Sequence, residues 1–187
     1  MSRAAIFGII KQYYDRGRGE NDARFGHDRV FLLCRCIPGG IAALDLFIKD
    51  EIEREGEEEF PRDLPGTKGL IRLHKSYNSG FPFGFLKERP ELVKGIPLAV
   101  TSAAAGALGA FMTKKGCLAQ KIGLSMVLGG AISNLYDRLV KGYVVDYFSI
   151  EFKRLKKVIF NLGDIFVFLG SLVFLIGELL EDIDLKN

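Results

Sequence analysis

The chain has 187 residues, 48% of them hydrophobic and 26% charged, with a formal net charge of +3. One domain is the expectation at that length. So small a charge, with no basic-aromatic motif, argues against a nucleic-acid partner. The cysteines, Cys34, Cys36 and Cys117, show no CxxC or metal-type spacing, and their odd number argues against a disulfide framework. His27 and His74 each stand alone and read as surface or interface residues.

Residues 1–29 are polar and hold six basic residues, and Gly17, Gly19 and Gly26 argue against a continuous helix. They read as a solvated tail; the alternative is that Ala4 to Tyr14 lies on a membrane surface as a short amphipathic helix. Ala4 to Ile10 is too short for the apolar core of a cleavable signal peptide. Phe31, Leu32 and Leu33 are too bulky before Cys34 for a lipoprotein signal. Val30 to Ile48 is the first long apolar segment, interrupted by Arg35 and Asp45. Its Pro38-Gly39-Gly40 is tolerated in a membrane helix, where neighbours satisfy the backbone. Residues 50–90 are charged and irregular, with an acidic run at Glu57-Glu58-Glu59. Within them Leu70 to Lys75 alternates like a strand, and Asn78-Ser79-Gly80 signals a turn.

Ile96 to Met112 is the second apolar segment. Ser102, Gly106 and Ala110 share one face, the small-residue pattern by which membrane helices approach closely. Lys114-Lys115-Gly116 is a turn, Ile122 to Tyr136 the third segment and Leu162 to Leu180 the fourth. A spanning helix needs about 20 apolar residues, and the uncharged parts of these segments fall short of that or only approach it. Their shared design favours a membrane: each has an apolar body, and three carry polar residues at one end. Basic residues near the short loops give no clean orientation.

The polar residues concentrate near the C-terminal third. Asn134, Asp137 and Arg138 are three and four apart and project together from one helix end. An adjacent Asp137–Arg138 pair would make such charge tolerable in a low dielectric. Asp146 follows a turn at Lys141-Gly142, and Val144-Val145 suggests a short extended piece that aims its carboxylate. Asn161 can cap the fourth helix, and Asp164 sits in its first turn, where a carboxylate favours the dipole. Antiparallel packing of the third and fourth helices brings Asp146 and Asp164 to one level. Two carboxylates that close share a proton. One then acts as base on water while the other, protonated, polarises a carbonyl. Such aspartic-protease chemistry needs neither metal nor nucleophilic side chain, and no cofactor is expected. The structural alternative is helix caps and salt bridges. A metal site would normally enlist further carboxylate or His ligands, and no His is near.

Five blocks in order resemble the lipoprotein signal peptidase (signal peptidase II) family. They are Leu44-Asp45 to Lys49, Tyr77-Asn78-Ser79-Gly80 to Gly84, Gly129-Gly130 to Asn134 with Asp137-Arg138, Val144-Val145-Asp146, and Phe160-Asn161 to Asp164. The resemblance covers about residues 30 to 180. It implies a mainly α membrane protein with four transmembrane helices and a small extracytoplasmic β-like cradle between helices one and two. The basic tail 1–29 and both termini would be cytoplasmic, the peptidase domain would span 30–182 with about 50–90 extracytoplasmic, and 183–187 would form a C-terminal tail. The active site would lie near the outer leaflet of the bacterial cell membrane. Asp146 and Asp164 would be the catalytic dyad, supported by Asn78, Gly80, Asn134, Asp137, Arg138, Asn161, Asp45 and Lys49. Partners would be lipid-modified prolipoproteins, cleaved before the diacylglyceryl-cysteine, and membrane phospholipid, with the chain a monomer. The alternative is a non-catalytic paralogue that binds lipoproteins, or a small transporter. Ser133 stands where the family pattern has Gly, Gly163 where it has Ala, and Phe81-Pro82 where small residues are usual. The basic run from Lys153 to Lys157 reads as a contact with anionic headgroups.

Overall fold

A computed structural model describes residues 32–81, 85–86, 88–152 and 158–184. The tail 1–29, Pro82 to Gly84, the basic run from Lys153 to Lys157 and the last three residues lie outside these. The described chain is mainly helical. It holds α1 (32–54), α2 (Pro90–Met112), α3 (Leu118–Val140) and α4 (Leu162–Asp184). Strands β1 (Arg62–Asp63), β2 (Ile71–Asn78) and β3 (Val144–Ile150) form an antiparallel sheet in the order β1-β2-β3.

The buried stripe of α1 runs Cys34, Pro38, Ile41, Ala42, Asp45, Lys49 and Ile52. That is the spacing of one helix face, and it carries two charged residues inward. Helix α3 is the central element. Its Ser125 hydroxyl donates to the Cys34 carbonyl of α1 at 3.2 Å. A Cβ at Gly129 would lie 2.8 Å from Ile41. α2 starts with Pro90 in the first turn, where a missing N–H is no loss, and buries Val93, Thr101, Ala104 and Leu108.

Ser102, Gly106 and Ala110 were expected to form the close helix contact, and they do not. All three are exposed, and a Cβ on Gly106 would meet nothing within 4 Å. Close approach occurs between α3 and α4. A Cβ on Gly123 would come 2.6 Å from the Gly170 carbonyl oxygen, and one on Gly130 2.2 Å from that of Gly163. Gly177 extends the row against Ala119 and Gln120. Glycines recurring every seventh residue on both helices keep one seam in register along an antiparallel crossing. Backbones this close gain dispersion contacts along the whole seam.

α2 and the stretch Leu162–Glu181 of α4 are long and apolar enough to cross a membrane. The sheet differs from the expected cradle in one respect. β1 and β2 come from between α1 and α2, but β3 comes from between α3 and α4. A two-stranded hairpin alone is marginal; β3 supplies a partner whose Val145 and Tyr147 pack on Ile52 of α1. His74, on β2, is half-buried and shares a 2.9 Å hydrogen bond with Ser149 of β3. Gly142, with φ +85, takes the left-handed conformation that ends α3 and turns the chain into β3.

Because the α3–α4 seam has no room for a methyl group, Gly130→Ala is expected to destabilise by about 2 kcal/mol or more. Gly106→Ala, on an open helix face, is expected to be neutral or mildly stabilising. Thermal unfolding of the two purified variants in one detergent separates them.

Candidate active site

The site lies near the start of β3, where α4 begins and the C-terminal end of α3 passes alongside. Asp146 sits on β3 opposite Ser76 of β2, and Asn78 is its diagonal neighbour across the strands. The Asn78 amide donates to Asp146 Oδ2 at 3.1 Å, while Asn78 Oδ1 accepts the Gly80 N–H at 3.1 Å, closing the expected turn. The chain rejoins the sheet at Phe160, which pairs with Phe148. This brings Asn161 beside Asp146, and its amide donates to Asp146 Oδ1 at 2.8 Å.

Asn161 also caps α4. Its Oδ1 accepts the Asp164 N–H at 2.8 Å, and Asp164 Oδ2 accepts the Asn161 N–H at 3.3 Å. This reciprocal pair satisfies N–H groups the helix cannot. The other oxygen of Asp164 accepts the Asn134 amide at 2.8 Å. Every carboxylate oxygen of Asp146 and Asp164 thus holds one N–H, and Asn161 touches both residues.

Beneath this layer is an ionic one. Lys49 is fully buried. Its ammonium lies 2.8 Å from Asp45 Oδ2 and 3.0 Å from Asp137 Oδ2. It donates to Asn134 Oδ1 at 2.9 Å and to the Ser133 hydroxyl at 3.1 Å. Lys141 stands 3.4 Å from the other Asp137 oxygen and pairs also with Glu53. The expected Asp137–Arg138 pair is therefore corrected: Asp137 is neutralised by Lys49 and Lys141. Neighbouring residues on a helix point about 100° apart, so Arg138 leaves in another direction. Its guanidinium lies 5.1 Å over the Phe81 ring, and its Nη1 is buried without a hydrogen-bond partner among the described residues.

Nine of the ten residues predicted for the site meet in two linked hydrogen-bonded layers; the tenth, Arg138, lies beside Phe81 and feels the Asp146, Asp164 and Asp137 charges without a hydrogen bond to them among the described residues. Sequence reasoning missed Tyr147, Lys141 and Phe81 as neighbours, and it noted Ser133 only as a departure from pattern. Among the described residues, no group of three His, Cys, Asp or Glu side chains is placed to hold a metal.

The model of the family described as "Signal peptidase (SPase) II" matches residues 38–180. The chain belongs to the signal peptidase II family. Relatives named lipoprotein signal peptidase include one from Clostridium acetobutylicum, 34% identical over 65% of this chain and 78% of its own length. One from Sinorhizobium fredii is 31% identical over 82% and 93%, and one from Caldicellulosiruptor bescii 35% over 71% and 85%. Two solved bacterial membrane enzyme structures share the fold. One has a TM-score of 0.67 at 22% identity, covering 83% of this chain and 92% of its own, and the other 0.64 at 21%, covering 79% and 92%. As a signal peptidase II, the protein is a membrane protease.

Ser133 and Gly163 meet at one atom. The Ser133 hydroxyl donates to Asp45 Oδ2 at 2.5 Å, and a Cβ on Gly163 would lie 3.0 Å from that same oxygen. Gly163→Ala alone is expected to lower the melting temperature. Adding Ser133→Gly, which frees the Asp45 carboxylate to shift, is expected to recover part of the loss, a coupling that a double-mutant cycle measures.

The Asp146 carboxyl is pushed up to about 6 from the ordinary 3.8. Burial is the main cause and the Asp164 charge the second; the Asn78 and Asn161 amides and the Lys49 charge oppose them. The folded protein therefore holds this proton more tightly than the unfolded chain does. Ionisation destabilises the fold as pH rises from the unfolded value through the folded one, reaching on the order of 3 kcal/mol above it. Asp146→Asn is expected to melt higher than the wild type near about pH 8 and no higher near about pH 4, as thermal unfolding at the two pH values measures.

Proposed function

We propose that the protein is an aspartic endopeptidase in which Asp146 and Asp164 form the catalytic dyad. As a member of its family it is a lipoprotein signal peptidase, an enzyme that removes signal peptides from prolipoproteins. The observation that carries the dyad assignment is the Asn161 bridge. One side chain donates to Asp146 and caps the helix turn that carries Asp164. With one amide N–H on each carboxylate oxygen, a second lone pair per oxygen stays open to water or a proton.

The pair holds one proton between its members. The ionised member takes a proton from water as that oxygen attacks the scissile carbonyl carbon. The protonated member donates to the carbonyl oxygen. The tetrahedral intermediate then collapses, the C–N bond breaks and the leaving nitrogen takes a proton from the pair. Arg138 Nη1, buried without a hydrogen-bond partner among the described residues, is suited to a substrate backbone carbonyl. Asn78 and Asn134 hold the aspartates, Gly80 fixes Asn78, and Asp45, Lys49 and Asp137 form the ionic support below.

In this reading all four helices span the bacterial cell membrane. α1 and α3 fall outside the hydropathy and charge limits that α2 and α4 meet, yet Asp45, Lys49 and Asp137 are buried within the protein and paired there. Charge turned inward and paired is what a bilayer tolerates. Residues 30–182 form the peptidase domain, residues 1–29 are a cytoplasmic tail and 183–187 a C-terminal one. The sheet lies on the outer side and covers a cleft near the outer leaflet. There a lipid-modified prolipoprotein enters and is cut before its diacylglyceryl-cysteine. The enzyme acts as a monomer among phospholipids and needs no cofactor.

Asp146→Asn and Asp164→Asn are each expected to abolish cleavage of a lipid-modified prolipoprotein by the reconstituted enzyme, with membrane insertion unchanged. Near-normal cleavage by either variant sinks the dyad. Binding without cleavage by the wild type points to a non-catalytic protein.

A further inference from the structure

Asp45 is fully buried on α1, and its two oxygens are met by hydroxyls from two other elements. Ser133 of α3 donates to Oδ2 at 2.5 Å, and Tyr147 of β3 donates to Oδ1 at 3.0 Å. The Tyr147 oxygen also accepts the Leu162 N–H at 2.9 Å. Leu162 is the first residue of α4, so that N–H has no partner within the helix.

The positions of these hydroxyls along the chain give the contacts meaning. Ser133 precedes Asn134, whose amide holds Asp164. Tyr147 follows Asp146. Leu162 lies between the bridging Asn161 and Asp164. One carboxylate thus fastens the strand that carries one aspartate, the helix start that carries the other, and the helix that orients the second.

We propose that Ser133 and Tyr147 are positioning residues that set the separation of Asp146 and Asp164 by clamping their supporting elements onto Asp45. The proposal rests on the dyad reading above. A Phe at position 147 would fill the same space among Ile52, Val145 and Leu162. It would leave Asp45 Oδ1 without its hydroxyl donor and the Leu162 N–H unpaired, and buried polar groups in that state are costly. The phenol is a lasting donor. Burial first, then the Asp45 charge, holds it far above its ordinary value, so it stays protonated across the physiological range. The two hydroxyls act on one carboxylate, so their effects are not independent. A displacement of about 1 Å in a catalytic group is enough to slow chemistry by on the order of 100-fold.

The test measures kcat and KM of the full-length chain in lipid, with a lipid-modified prolipoprotein as substrate. The variants are Ser133→Ala, Tyr147→Phe, both together, Asp146→Asn, and Tyr143→Phe as control. Tyr143 donates a comparable hydroxyl bond to Glu53 at 3.0 Å, outside the clamp. Ser133→Ala and Tyr147→Phe are expected to lower kcat by about 10- to 100-fold with KM within about twofold. The double variant should lose less than the product of the two, and Tyr143→Phe should keep its kcat. Wild-type kcat in both single variants, or a loss explained wholly by a smaller folded fraction, overturns the clamp and leaves the dyad standing. Multiplicative losses overturn the shared action through Asp45. If Asp146→Asn still cleaves, the dyad itself fails and takes the clamp with it.

Discussion

A fully buried lysine ammonium is the constraint on which this structure depends. Moving such an ion out of water costs several kcal/mol even after relaxation. Lys49 is tolerated because Asp45, Asp137, Ser133 and Asn134 surround it with acceptors. Those partners come from α1 and α3 alone, so the ionic layer locks these helices in one rotation and one axial position. Asp137 would still carry uncompensated charge, and Lys141 meets it from the edge while reaching Glu53 at the end of α1. With Asp45, Asp137 and, at the half-buried edge, Glu53 set against Lys49 and Lys141, the layer carries little net charge. Paired charge turned inward in this way is what helices with apolar outer faces can wrap.

The ionic layer also decides how the polar layer above it points. An Asn side chain can be flipped about its last bond, so an amide that donates to a carboxylate must have its carbonyl fixed by something else. Each of the three asparagines has such a fixing donor. Lys49 takes the Asn134 carbonyl, the Gly80 N–H takes that of Asn78, and the Asp164 N–H takes that of Asn161. Every amide is thereby aimed at an aspartate. A Gln would overshoot these distances, and an Asp would set oxygen against oxygen. The repeated use of asparagine follows from its having one donor end and one acceptor end on a short stem.

Much of this was readable from residue spacing. Asp45 and Lys49 fall four apart, so their sharing one helix face follows from helix period, but the inward direction of that face does not, since Leu32, Leu33, Leu44 and Phe47 make the outer face apolar as well. The alternation from Leu70 to Lys75 within the strand Ile71–Asn78, the turn at Gly142 and the cap at Asn161 follow from local chemistry. The partner of Asp137 does not. Arg138 is next to it in sequence, but the deciding cation is on another helix, and only packing brings it close. The helix seam was misread for a similar reason. Ser102, Gly106 and Ala110 are as small as Gly123, Gly130, Gly163 and Gly170, and nothing local says which row meets a partner. The seven-residue recurrence on both α3 and α4 was the signal available. Tyr147 gave no signal at all, since a buried aromatic beside an aspartate reads as core until its hydroxyl is seen between Asp45 and Leu162.

The two aspartates stand on unlike elements, one within a strand and one in the first turn of a helix. Neither element alone can hold a pair of carboxylates at fixed separation while electrostatics pushes them apart. That repulsion is part of what raises the Asp146 carboxyl to about 6. The opposing force has to come from groups that belong to both elements at once. Asn161 does this at the level of the carboxylates, and Asp45 does it one layer below through Tyr147 and Ser133. The pair is therefore held at two depths, by a neutral amide at the carboxylates themselves and by a charged carboxylate one layer below.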